Sequence, residues 1–329
     1  MNSSKGRHFD VFNGDADGLC ALQQLRLAEP REASLICGAK REHALLERVP
    51  AQRGDSVTVL DLPLAANCRA LQGLLGQGVG VDYFDHHHLP EALAQAPHPL
   101  LRLTIDPAPD VCTSILVNRH LEGRFRAWAV VGAFGDNLPA SAQRLAASLD
   151  LSEANVLLLK ALGECLNYNA YGDSEADLTI LPADLYRQMA GYADPLEFME
   201  NEAAYVTLAP RRAEDMRLAV DVTPMLESGN LVVTLLPDAA WSRRVIGSYA
   251  NRQCGEHPER TCIVLAPNAR QSLTVSLRAA QGAAVTASQL ARRHGGDGRE
   301  TAAGINNMRP VDVPGFILNV QTMLGATAA

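Results

Sequence analysis

The chain has 329 residues, enough for two domains with separate cores. With 47% hydrophobic and 20% charged residues it reads as globular, and its net charge of −8 excludes a broad duplex-DNA surface, which needs excess Lys and Arg. Seven cysteines, an odd number with no C-x-x-C pair, exclude a disulfide frame or zinc knuckle and suit a reduced, cytoplasmic setting.

Short apolar runs with strand character alternate with helical stretches through the first 140 residues. Strands are predicted at His8–Phe12, Ser34–Cys37, Ser56–Leu60, Val79–Phe84 and Leu101–Ile105, and helices at Leu19–Ala28, His43–Arg48, Ala65–Leu75 and Pro90–Ala96. Such alternation predicts an α/β fold with a parallel sheet covered on both faces. Sheets of this kind bind ligands at the carboxyl ends of their strands. Thr113–His120 and Ala127–Phe134 read as helix or strand, and Ser141–Ala190 as mainly helical.

Pro195–Asp221 is a charged helical stretch suited to a connector. A second α/β pattern follows. Leu231–Leu236, Thr261–Leu265 and Gln271–Arg278 are predicted strands, and Trp241–Cys254 and Ala287–Arg293 predicted helices. The expected organisation is a first domain over 1–190, a helical linker over 191–224 and a smaller second domain over 225–329. Met1 to His8 is too short and polar for a secretory signal, and no apolar run approaches the roughly 18 residues of a membrane span, so no membrane partner is expected.

Asp85-His86-His87-His88 closes the fourth strand. Buried carboxylates and imidazoles are costly unless paired or coordinated, and this mixed oxygen and nitrogen set suits Mn²⁺, Zn²⁺ or Fe²⁺. A solvated, His-rich loop is the plainer alternative. Asn13-Gly14-Asp15-Ala16-Asp17-Gly18 follows the first strand and opens a helix. Its two carboxylates can face one site, or Asp17 can be a helix N-cap. Asp61 follows the third strand and Asp136 another apolar run. Strands of one parallel sheet end on one edge, so these groups can converge. Their mutual repulsion would then call for cations.

The ordered set Asp15-x-Asp17-Gly18, Asp61, Asp85-His86-His87 and Asp136 resembles the four successive motifs of the DHH phosphoesterase superfamily. Val275-Ser276-Leu277-Arg278 and His294-Gly295-Gly296-Asp297-Gly298-Arg299-Glu300-Thr301-Ala302-Ala303-Gly304 resemble the signature of the DHH-associated domain. The resemblance implies two α/β domains with the active-site cleft between them. It implies two divalent metals, Mn²⁺ first, with Mg²⁺, Fe²⁺ or Co²⁺ as alternatives. Asp15 would ligate one metal and Asp17 the other. Asp61 would bridge both, and His86 and Asp136 would complete the second site. His87 would face the substrate phosphate, Asp85 would orient a histidine, and His88 has no assigned role. Arg278, Gly295, Gly296, Gly298 and Arg299 would bind substrate.

The sequence departs from the family pattern in places. Val11 stands where some branches have a histidine, and Asn13 where others have an aspartate, so the Asn13 amide oxygen or water would fill a ligand position. Arg299 replaces the usual histidine and Asp297 a glycine. The expected reaction is hydrolysis of short single-stranded RNA, linear dinucleotides such as pGpG and pApA, by a metal-activated water. The alternatives are a single-strand exonuclease, a bisphosphate nucleotidase, a pyrophosphatase or a non-catalytic nucleotide sensor. A homodimer is the default oligomeric expectation.

Overall fold

The computed structural model describes residues 6–88 and 98–326, so the helix predicted at Pro90–Ala96 lies outside the described residues. The chain forms two compact units, Met1–Ala209 and Pro210–Ala329. The division falls within one helix, at Pro210, where the ring removes an intrahelical hydrogen bond.

The first unit carries strands β1 (His8–Asn13), β2 (Ser34–Gly38), β3 (Ser56–Leu60), β4 (Gly80–Asp85) and β5 (Leu101–Ile105). They lie in the order β2-β1-β3-β4-β5, and every neighbouring pair is parallel. The helices are α1 (Ala16–Ala28), α2 (Leu64–Gly76), α3 (Thr113–His120), α4 (Arg126–Gly135), α5 (Pro139–Ala146), α6 (Glu153–Ala170), α7 (Pro182–Met189), α8 (Pro195–Asn201) and α9 (Ala203–Val220). Alternation along β1 sends Phe12 into a core with Leu19, Leu22, Trp128 and Leu166, and Phe9 and Val11 into another with Val57, Leu71 and Tyr83.

In the first sheet, predicted and observed strands agree to within about a residue at each end. The helix expected at His43–Arg48 is a 3₁₀ turn, Leu45–Arg48; Pro50, two residues on, disfavours helical backbone before it. Thr113–His120, ambiguous in sequence, is helical, as is Arg126–Gly135. Trp128, Ala129, Val130, Val131 and Ala133 are all fully buried. A helix enclosed on every side shows no apolar stripe, which explains the ambiguity.

The second unit has β6 (Leu226–Glu227), β7 (Leu231–Leu235), β8 (Thr261–Pro267), β9 (Leu273–Arg278), β10 (Asp297–Gly298) and β11 (Ala302–Met308), in the order β10-β11-β9-β8-β7-β6. Only β7 and β8 pair in parallel, and helix α10 (Ala240–Glu256) connects them. Helices α11 (Ala287–Arg292) and α12 (Val313–Ala326) follow. Phe316 and Val320 of α12 are buried with Val233, Ile263, Val275 and Ile305. Helix α12 has no counterpart among the predicted elements, because its Pro314-Gly315 start resembles a loop; proline is tolerated in a first helical turn. Among the described residues, no helix is long and apolar enough to cross a membrane.

Beneath β1 lies a buried polar network. Arg26 Nε donates to Asp10 Oδ2 at 2.8 Å, His8 Nε2 lies 3.1 Å from Asp10 Oδ1, and Arg26 Nη2 donates to Thr58 Oγ1 at 3.1 Å. Burial raises the Asp10 pKa, but hydrogen bonds from Arg26 and His8 outweigh it and leave the group below its ordinary value. Removing one partner of such a pair strands a buried charge, so Arg26→Met should cost about 3–5 kcal/mol near neutral pH in urea unfolding. A lowered folded-state pKa stabilises above the unfolded value and is lost as pH falls through the folded one. The deficit should therefore shrink below about pH 4.

Candidate metal centre

The parallel register sets the carboxyl ends of the strands level. Asn13 pairs with Gly38, Phe12 with Leu60, Leu60 with Phe84, and Asp85 with Ile105. Helix α1 packs on one face of the sheet and α2 on the other. The chain therefore leaves β1 and β3 toward opposite faces, and a crevice opens between their ends, as at other switch points of this strand order.

Asp15 enters the crevice from β1. It is the N-cap of α1, and its Oδ1 accepts from the backbone N of Asp17 at 3.0 Å and Gly18 at 3.1 Å. The capping role expected as an alternative for Asp17 thus falls to Asp15, because the helix starts at Ala16. Gly18 permits this tight turn; a Cβ there would meet the Asn13 carbonyl oxygen at 2.2 Å. Asp17 instead reaches the start of α3, where the N–H groups of Thr113 and Ser114 donate to its two oxygens at 2.7 Å each. Cys112 offers α3 no side-chain cap, so Asp17 supplies one from another element.

Asp61 follows β3 in the left-handed region, with φ of 57°. That conformation costs a non-glycine residue about 1–3 kcal/mol. Its Oδ1 lies 3.3 Å from His86 Nε2 and accepts from Thr113 Oγ1 at 3.4 Å. Asp85 is fully buried; its Oδ1 lies 2.6 Å from His87 Nδ1, while its Oδ2 has no hydrogen-bond partner. The His86 and His87 rings pack with centroids 4.5 Å apart, and His88 is exposed. Asp61, His86 and His87 each present a ligand atom, all within 4.8 Å of one another. Asp136 caps the end of α4.

A residue overlooked in the sequence joins this set. Lys40, just past β2, bonds through Nζ to Asp15 Oδ2, donates to Asn167 Oδ1 at 3.0 Å and lies 3.9 Å from Asp136 Oδ1. Burial disfavours its charge, but the carboxylates, Asp15 foremost, raise its pKa well above the usual value. Its position was readable: Gly38-Ala39-Lys40 leaves a strand at the edge used for Asp15 and Asp61.

Charge repulsion shapes the titration of the carboxyls. Burial, then Asp136 and Asp15, raise the pKa of Asp17. Burial, then Asp15 and Asp17, raise that of Asp61 well above the carboxylate range. Burial also works against Asp15, yet Lys40 holds it below its ordinary value. Burial lowers the His87 pKa, but the Asp85 hydrogen bond more than compensates and raises it. A divalent ion would relieve this repulsion, and the carboxylate and imidazole donors fit one.

The remaining expected site residues lie in the second unit. Arg278 ends β9, where it bonds to Asn251 and donates to Leu277 O at 2.8 Å. It pairs in register with Ala302, and Gly298 pairs with Ala303, so Arg278 and the glycine hairpin share one end of the sheet. Gly295 N and Gly296 N donate to the carbonyls of Arg292 and Ala291 at 3.3 and 3.0 Å. These two N–H groups finish α11. Arg299 N closes the hairpin onto Ala302 O at 2.8 Å, and Asp297 accepts from Arg292 Nε at 3.1 Å.

The sequence matches no protein-family model and no curated protein. Solved structures do resemble it. Exonuclease RecJ bound to manganese matches with a TM-score of 0.61 at 19% identity, over 98% of this chain and 90% of that one. PggH, a pGpG-specific phosphodiesterase from Vibrio cholerae, matches at 0.56 and 15%, over 97% and 99%. An exopolyphosphatase-related protein from Bacteroides fragilis matches at 0.54 and 13%, over 100% and 95%. With a parallel sheet followed by a second, mixed sheet and a likeness spanning nearly its whole length, the chain shares the fold of these solved structures.

Proposed function

We propose that the chain is a metal-dependent phosphodiesterase that hydrolyses short oligonucleotides, linear dinucleotides such as pGpG and pApA, to mononucleotides. The observation that carries this reading is the convergence of Asp15, Asp17, Asp61, His86 and Asp136 at the switch point of the sheet. Two of the carboxyls there are held in unfavourable burial and mutual repulsion. Asp17, Asp61, His86 and Asp136 are the residues we assign to a divalent ion, with Mn²⁺ the first candidate and Mg²⁺, Fe²⁺ and Co²⁺ as alternatives. When bound, such an ion supplies a Lewis acid and a water of lowered pKa.

The chain's own groups do the rest. Asp85 binds His87 through Nδ1 and raises its pKa, which leaves Nε2–H to donate to a phosphoryl oxygen. Arg278 and Arg299 are the guanidinium groups proposed to hold substrate phosphate, with Gly295, Gly296 and Gly298 shaping the hairpin beside them. The preference for a short substrate draws support from the likeness to PggH, which covers nearly the whole of both chains. An exonuclease acting on longer single strands is the second reading, favoured by the TM-score of 0.61 with RecJ.

Turnover should be measured with Mn²⁺ on pGpG, pApA, longer oligonucleotides, cyclic dinucleotides, adenosine bisphosphate and pyrophosphate. Fastest cleavage of a dinucleotide supports the proposal, rates rising with length favour the exonuclease, and inactivity across the panel sinks both. His87→Ala should lower kcat by about 10²–10³-fold, the usual loss of one oxyanion donor, with Mn²⁺ affinity kept. Asp61→Asn should raise the Tm of the metal-free protein and abolish the Mn²⁺-dependent rise in a thermal-shift assay. A raised folded-state carboxyl pKa stabilises at low pH and loses that contribution as pH rises through it. Metal-free wild-type protein should therefore lose more Tm than Asp61→Asn between pH 5 and pH 7.

A further inference from the structure

Lys40 is held from several sides. Its backbone N donates to Ala170 O at 2.9 Å, at the end of α6, and its carbonyl accepts from Asn13 Nδ2 at 3.4 Å. The ammonium has three N–H donors. One goes to Asp15 Oδ2 and one to Asn167 Oδ1, and Asp136 Oδ1 lies 3.9 Å away. Its side chain retains 21% exposure, so the charge borders the crevice rather than vanishing into the core.

The Asp15 carboxylate is thereby occupied at both oxygens. Oδ1 caps α1 through two backbone N–H groups, and Oδ2 takes Lys40. Positions 11 and 13, beside Asp15, add no charged metal donor. Val11 is buried in the core with Phe9 and Val57, and Asn13 is neutral. On the other side of Asp61, His86 presents an imidazole nitrogen 3.3 Å from its carboxylate oxygen. One half of the site is thus equipped with metal donors, and the other already holds a cation.

We propose that the Lys40 ammonium takes the place of one of the two metals, so that the site binds a single divalent ion on the Asp61–His86 side. The proposal rests on the metal-dependent reading above. An ammonium supplies charge but no coordination position, so it activates no second water. It can instead donate to a phosphoryl oxygen. Without Lys40, Asp15, Asp61 and the buried, unpartnered Asn13 Oδ1 would be left to accept a second ion.

The test is a metal count on the full-length, metal-free protein titrated with Mn²⁺, by equilibrium dialysis and electron paramagnetic resonance. Wild type should bind one Mn²⁺ per chain with the spectrum of an isolated ion. Lys40→Gln should bind two with a spin-coupled spectrum, and Lys40→Arg should stay at one. Two coupled ions in wild type would overturn the proposal and leave the metal-dependent reading intact. A single ion in both wild type and Lys40→Gln overturns it as well, since Lys40 then excludes nothing. No bound Mn²⁺ in wild type overturns both. If Lys40→Gln does not fold, the wild-type count and spectrum still decide.

Discussion

Asp15, Asp17 and Asp61 bring three carboxylates, each at most 3% exposed, to one edge of a parallel sheet. Desolvating a carboxylate costs several kcal/mol unless hydrogen bonds or opposite charge replace the lost water. Each of the three meets that cost differently. Asp17 sits on the N-terminal N–H groups of α3, Asp15 on those of α1 and on Lys40, and Asp61 beside His86. Two helix N-termini turned toward the same acidic edge supply positive dipole ends as well as hydrogen bonds. The pKa of Asp17 and that of Asp61 are raised despite these contacts, so the cluster is only partly neutralised by protein groups.

The arrangement depends on a rigid frame. The strand order sends the chain away from β1 and β3 toward opposite faces, so the crevice is a consequence of topology rather than of any single side chain. The Asp10–Arg26–His8–Thr58 network ties β1 to α1 and β3 within the same unit. Asp61 is held in a left-handed conformation between those strands and α3. Strain of this kind persists only where the surroundings over-determine it.

The legibility of this site in the sequence was uneven, for physical reasons. Strand ends in a parallel sheet share an edge, so Asp15, Asp61, Asp85 and His86 could be placed together once the alternation of strands and helices was read. Lys40 obeys the same rule, but an ammonium is no metal ligand, so its residue type alone does not mark it as part of the site. Capping of α3 by Asp17 crosses 96 positions and leaves no local signal. In the second unit the run Gly295–Gly298 was visible as part of a motif, but the use of Gly295 N and Gly296 N to finish α11 depends on where that helix stops.

The sequence by itself determined the strands of the first sheet, their shared carboxyl edge and the residue types gathered there, because short apolar runs and strand-end carboxylates are local patterns. It also carried the ordered motifs that resemble the DHH phosphoesterases. Tertiary structure alone decided how the charges are divided: which oxygen of Asp15 caps a helix, that Asp17 serves α3, that Asp85 engages His87 rather than His86, and that an ammonium stands beside the acids. Those outcomes depend on distances between segments far apart in the chain, and electrostatic energy in a low-dielectric interior is set by such distances rather than by sequence spacing.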